Sequence, residues 1–161
     1  MQPMMQIEDS VVIDRPRRQV FPLAASPENM PLWNTAVLES RIYGALQRGA
    51  RVVQRIHLLG HRFETVYEVT SYEPPRRVTY TSTCGPMDIR GTMEFVSLRG
   101  ATRIHWTVAG DCRGFLRVAG PVLIGVGHHE MHACLQNLKR FVEQRPAAPR
   151  TTRRAPAHTA A

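Results

Sequence analysis

The sequence predicts an α+β fold: a seven-stranded curved antiparallel sheet wrapped around a long C-terminal helix, with two short helices after the first strand. Three observations lead there. The middle of the chain consists of runs in which apolar and polar residues alternate, separated by turn residues. Beyond them, Ile124, Gly127/His128, Met131, Cys134/Leu135, Leu138 and Phe141/Val142 recur at three- and four-residue intervals. That spacing makes one apolar stripe of a helix, with Gln136, Lys139, Arg140 and Glu143 on the other face. Finally, two short helical patterns stand between the first strand and all the others.

The elements follow in order. Residues 6–13 are rich in β-branched side chains and read as the first strand, which Asp14-Arg15-Pro16 ends. Residues 17–25 form a short amphipathic helix around Val20, Phe21 and Leu23, weakened by Pro22. Ser26-Pro27 opens a second, with Ser26 as N-cap and Pro27 at the first helical position, and it stops near Asn34. Strands are then predicted over 37–43, 50–59, 62–72, 77–83, 88–98 and 102–111. Gly49, Gly60-His61, Pro74-Pro75, Gly85-Pro86 and Arg99-Gly100 punctuate them, leaving gaps short enough for hairpins.

Alternation assigns the faces. The inward sets are Val52, Gln54, Ile56 and Leu58; Phe63, Thr65, Tyr67 and Val69; Val78, Tyr80 and Ser82; Gly91, Met93 and Phe95; and Ile104, Trp106 and Val108. Each opposes a polar outward set, which describes a sheet wet on one side and covered on the other. The terminal helix is the natural cover. Its first half is thin, because Gly120, Pro121, Gly125 and Gly127 carry little side chain. Thinness there leaves either room for a ligand or a tight helix–sheet contact.

Composition narrows the function classes. At 161 residues the chain reads as one domain over 1–144, large enough for a real core. Residues 145–161 carry four arginines, no acid and no periodic apolar residues, and read as a disordered tail. Removing that tail leaves about half of the formal charge of +8, too little to point to a specific nucleic-acid partner. Three widely spaced cysteines suggest neither a disulfide framework nor a Cys-x-x-Cys metal site. No run reaches the ~18 apolar residues that a membrane span needs, and no apolar leader opens the chain. Cytoplasmic localisation is the expectation. A phosphate-binding glycine loop, a nucleophile elbow and a dinucleotide fingerprint are all missing from the sequence.

The segments SVVIDRPRRQVFPLAASPENMPLWN, FETVYEVTSYEPPRRVTYTST, GTMEFVSLRGATRIHWTV and FLRVAGPVLIGVGHHEMHACLQNLKRFVE carry a family likeness over nearly all of residues 6–143. The first two are the more specific, through V-x-I-D-x-P…V-F…S-P-E-N-x-P-x-W and E-V-T-x-Y-E-P-P-R-R. The chain thereby resembles the START/polyketide-cyclase (SRPBCC) superfamily, in particular its small bacterial polyketide cyclase/dehydratase-like branch. The resemblance implies the helix-grip fold and a ligand cavity. It does not imply a reaction, because members range from aromatase/cyclases to lipid and isoprenoid carriers.

Candidate site residues follow from the predicted inner surface. His128 shares the helix stripe with Met131 and Leu135, where an imidazole could serve as general acid or base. Tyr67 and Tyr80 face inward on neighbouring strands, and a buried phenol needs a partner for its hydroxyl. These three are the catalytic candidates. Trp33, Asn34, Gln54, Phe63, Arg90, Met93, Phe95, Trp106, Ile124 and Met131 are the candidate ligand contacts. His128-His129-Glu130-Met131-His132 has the i, i+4 histidines of a zinc helix. Its glutamate is one position out of place and no third ligand is evident, so no metal is expected. The resulting expectation is a cofactor-independent cyclase/dehydratase-like enzyme that closes rings in a hydrophobic substrate. A carrier of a lipid, quinone or isoprenoid is the alternative, and a homodimer is left open.

Overall fold

A computed structural model describes residues 5–112, 117 and 120–147. Strand β1 (Met5–Ile13) is followed by helix α1 (Arg17–Ala25), a 3-10 turn (Pro27–Asn29) and the single-turn α2 (Met30–Trp33). Six strands come next: β2 (Val37–Tyr43), β3 (Arg51–Leu58), β4 (His61–Glu73), β5 (Arg77–Cys84), β6 (Met87–Ser97) and β7 (Thr102–Cys112). The long helix α3 (Gly120–Glu143) closes the fold. Ser26 makes no side-chain capping bond, because the chain passes from α1 directly into the 3-10 turn. The region expected as disordered falls, from residue 148 onward, outside the described residues.

All seven strands form one antiparallel sheet in the order β1-β7-β6-β5-β4-β3-β2. Five hairpins join β2 to β7 in sequence, while α1 and α2 carry the chain from one edge, β1, to the other, β2. The register confirms the inward faces: Val52 pairs with Tyr67, Gln54 with Thr65, and Met93 with Trp106. Register shifts at Val66/Tyr67 and at Val69/Ser71 mark bulges in the β4–β5 pair. Bulges bend a strand locally and raise its twist, so they help the sheet to curl.

The core lies inside the curl. Ile13, Val20, Phe95, Ile104, Leu135, Leu138 and Val142 are almost wholly removed from water, each worth about 1.5–3 kcal/mol by apolar transfer. Phe21 on α1 meets Phe95 edge-on at 4.8 Å between ring centres. The C-terminal end of α3 is pinned to the corner between β1 and α1. Arg15 donates to the carbonyls of Glu143 and Arg145, the Asp14 amide donates to the Glu143 carboxylate, and Lys139 bridges Glu143 and the Val12 carbonyl. At the other end of α3, Pro121, Val122, Gly125 and Val126 are exposed.

Candidate functional site

The curled sheet leaves two adjoining voids that share part of their walls. An inner chamber of about 190 Å³ lies between the inner face of the sheet and α2. Its wall includes Met30, Trp33, Gln54, Tyr67, Tyr80, Ile89, Gly91 and Met93. An outer chamber of about 390 Å³ extends from it beneath the N-terminal half of α3, against Leu58, Leu59, Leu123, Gly127, Met131 and Cys134. Asn34, Ala36, His57, Leu58, Met87, Trp106 and Val108 border both, so they form the neck. The outer chamber falls in the range of roughly 300–1,000 Å³ usual for small-molecule sites. No residue of α3 lines the inner chamber.

The aromatic wall is built by packing. Trp33 ends α2 and stands edge-on to Trp106 of β7, with ring centres 5.6 Å apart. Gly91 leaves open space on β6: a Cβ there would only touch Trp106 and Val108 at ordinary van der Waals distance. Gly127 acts differently, since a Cβ on it would collide with Ile7 Cδ1. It lets α3 approach β1 closely, whereas Gly125 faces away from the sheet and is exposed.

Polar groups on the wall are few and mostly occupied. The Tyr80 hydroxyl donates to the Ala25 carbonyl, and burial pushes its pKa upward, with Tyr72 adding to the effect. The Gln54 amide nitrogen donates to Ser40 Oγ at 3.1 Å and to Met30 Sδ at 2.9 Å. Asn34 Oδ1 accepts from the Ala36 amide at 3.1 Å and from the Cys134 thiol at 3.5 Å. Thr35 Oγ1 donates to Glu130 at 2.9 Å, fastening the start of β2 to α3 beside the outer chamber. Burial raises the Cys134 thiol above its ordinary value, partly offset by Thr35. Burial likewise raises Tyr67, while the neighbouring Thr65 hydroxyl acts in the opposite sense. No hydrogen bond of good geometry forms between those two among the described residues, and Thr65 Oγ1 is sealed in the packing.

Of the candidate contacts, Trp33, Asn34, Gln54, Met93, Trp106 and Met131 line the void, and so do Tyr67 and Tyr80. Six expectations are corrected. His128 is exposed on the outside of α3, because Leu123, Gly127 and Met131 are the residues turned inward there. Tyr80 keeps its ring on the wall, but its hydroxyl serves the backbone. Arg90 lies on the outer face and is exposed, one residue out of phase with Ile89 and Gly91. Phe95 fills the core against Phe21, away from both chambers. Phe63 packs near His61, and Ile124 borders a separate hollow with Met5, Cys112 and Pro121. Met87 and Ile89 were not singled out, although they continue the odd-numbered alternation of Gly91 and Met93. Of the histidine cluster, His132 faces Asp9 of β1 at 2.9 Å.

A curved antiparallel sheet gripping a terminal helix, with an apolar void inside, defines a protein of the helix-grip class. The family model described as polyketide cyclase / dehydrase and lipid transport matches residues 4–143. The chain belongs to that family. No curated protein matches the sequence. Among solved structures, it is similar to a START superfamily protein from Mycobacterium smegmatis, with a TM-score of 0.74 at 14% identity, covering 86% of this chain and 97% of that one. It is also similar to the Zhui aromatase/cyclase from Streptomyces sp. R1128, with a TM-score of 0.73 at 16% identity over 87% and 94% of the two chains. A third, TTHA0849 from Thermus thermophilus, gives 0.72 at 17% identity over 85% and 96%. At these identities the likeness is one of fold.

Proposed function

We propose that the protein takes up a hydrophobic small molecule such as a lipid, quinone or isoprenoid and holds it in the two-chambered void as a binder or carrier. The observation that carries this reading is the character of the wall. It is apolar almost throughout, and the hydroxyl of Tyr80 and the amide nitrogen of Gln54 are taken up by the protein itself. Such a surface gains affinity from apolar area removed from water and asks little of the ligand's polar groups. Native mass spectrometry of gently purified protein, together with titration of the fluorescent dye anilinonaphthalene sulfonate, tests it. A retained ligand or saturable dye binding supports the proposal; neither, in properly folded protein, refutes it.

A second reading has its own support. Tyr67 lines the inner chamber, the family's description includes polyketide cyclase / dehydrase, and one fold neighbour is an aromatase/cyclase. An enclosed polycarbonyl chain would gain reactivity from orientation and exclusion of water, with Tyr67 as the proton donor for ring closure and loss of water. Tyr67→Phe should then abolish product formation from a polycarbonyl substrate while leaving its binding intact. A carrier shows no turnover to lose.

A further inference from the structure

The neck between the chambers holds one polar side chain whose orientation the protein fixes. Asn34 follows α2, and its Oδ1 is claimed twice, by the Ala36 amide and by the Cys134 thiol. A backbone N–H can only donate, so the oxygen must stay on that side and the NH2 group must point the other way. Among the described residues no acceptor is seated against that NH2 group, yet Asn34 borders both chambers. Two other polar groups near the void, Trp33 Nε1 and Thr65 Oγ1, also lack a partner, but both are sealed within packing. The Trp106 indole nitrogen lies on the inner side, against Gly91. His57 also borders both chambers, but it is exposed and out of phase with the buried Gln54 and Ile56. Asn34 is the neck side chain whose donor group the protein itself orients.

Resting on the binding reading above, we infer that Asn34 is a specificity-determining residue: its oriented NH2 group selects hydrophobic ligands that carry a hydrogen-bond-accepting oxygen, a ketone or quinone carbonyl for example, part-way along their length. The oxygen is held at the neck while apolar portions extend into the chambers on either side. A pure hydrocarbon of the same shape strips water from those N–H groups and returns nothing, which costs affinity. Discrimination then comes from a polar group that the wrong ligand leaves unpaired.

The test uses two probes of nearly equal shape, acetonaphthone and isopropylnaphthalene, competing for the bound dye anilinonaphthalene sulfonate. Wild type should prefer the ketone by roughly five- to ten-fold beyond the difference in the probes' partitioning into octanol, as one net hydrogen bond allows. Asn34→Asp retains the shape and the Ala36 contact but replaces the donor by an acceptor; Asn34→Leu removes it. Both should lose the preference, and Asn34→Leu should still bind isopropylnaphthalene. A wild type that binds both probes equally, or a preference that survives in Asn34→Leu, overturns the inference and leaves the binding reading standing. If neither probe displaces the dye and no dye binds, the binding reading falls and takes this one with it.

Discussion

The Tyr80 hydroxyl of β5 donates to the carbonyl of Ala25, the last residue of α1. One bond thus ties the middle of the sheet to the segment that crosses between its two edges. Tyr80→Phe removes the donor and leaves a buried carbonyl without its partner, which should cost about 1–3 kcal/mol. Urea unfolding would measure the loss. Ligand affinity should change less than twofold, because the ring remains on the wall.

Space on the inner wall depends on Gly91. Its neighbours accept a Cβ, so Gly91→Val should fold, with the added methyl groups projecting toward the chamber. Dye or ligand affinity should fall by about tenfold, the scale of a steric loss in a well-packed site. Binding that is unchanged in Gly91→Val would place the ligand elsewhere.

The three free cysteines differ in exposure: Cys84 is exposed, Cys112 intermediate and Cys134 buried. Burial also holds the Cys112 and Cys134 thiols above their ordinary pKa, which lowers their thiolate fraction near neutrality. Maleimide labelling followed by intact-mass measurement should therefore show Cys84 reacting first and Cys134 last. A ligand in the outer chamber should slow Cys134 further and leave Cys84 unaffected.

Acid should loosen the pinned end of α3. Burial alone would raise the Glu143 carboxyl, but bonds from Lys139 and the Asp14 amide, with Arg15 nearby, outweigh it and hold the pKa below 4.5. A carboxyl depressed in the folded state contributes fully above its unfolded value, and the contribution is lost as pH falls through the folded one. Glu143→Gln should lower stability at pH 7 by about 1 kcal/mol. The difference from wild type should shrink below pH 4.5, measured as melting temperature against pH.

His128→Phe should leave ligand binding and any turnover unaltered, since the imidazole points away from both chambers. A loss of either in this variant would show that the outer surface of α3 takes part.

Strand order and inward faces were legible because alternation is strict in β3, β6 and β7, where one side is wet and the other buried. The same alternation puts Arg90 outside, and a ligand contact there runs against the register of β6. His128 was misplaced for a different reason. The stripe that begins at Met131 is continuous with the core, but toward Leu123 the helix lies against β1 and the outer chamber. There the inward direction rotates from Ile124 and His128 toward Leu123 and Gly127. Helical spacing alone carries no information about that change of neighbour. Nor could it show that the Tyr80 hydroxyl meets Ala25, a contact between residues 55 positions apart. The link between Asn34 and Cys134, 100 positions apart, was equally hidden.

Because the closing helix supplies no wall to the inner chamber, the molecule separates two choices that a single-walled pocket would have to make together. On the proposed binding reading, sheet and α2 would dictate which end-group is seated at depth, while α3 would govern how much bulk fits behind it. Exchanging residues such as Leu123 or Met131 should therefore retune the tolerated length of a cargo without touching recognition of its leading end.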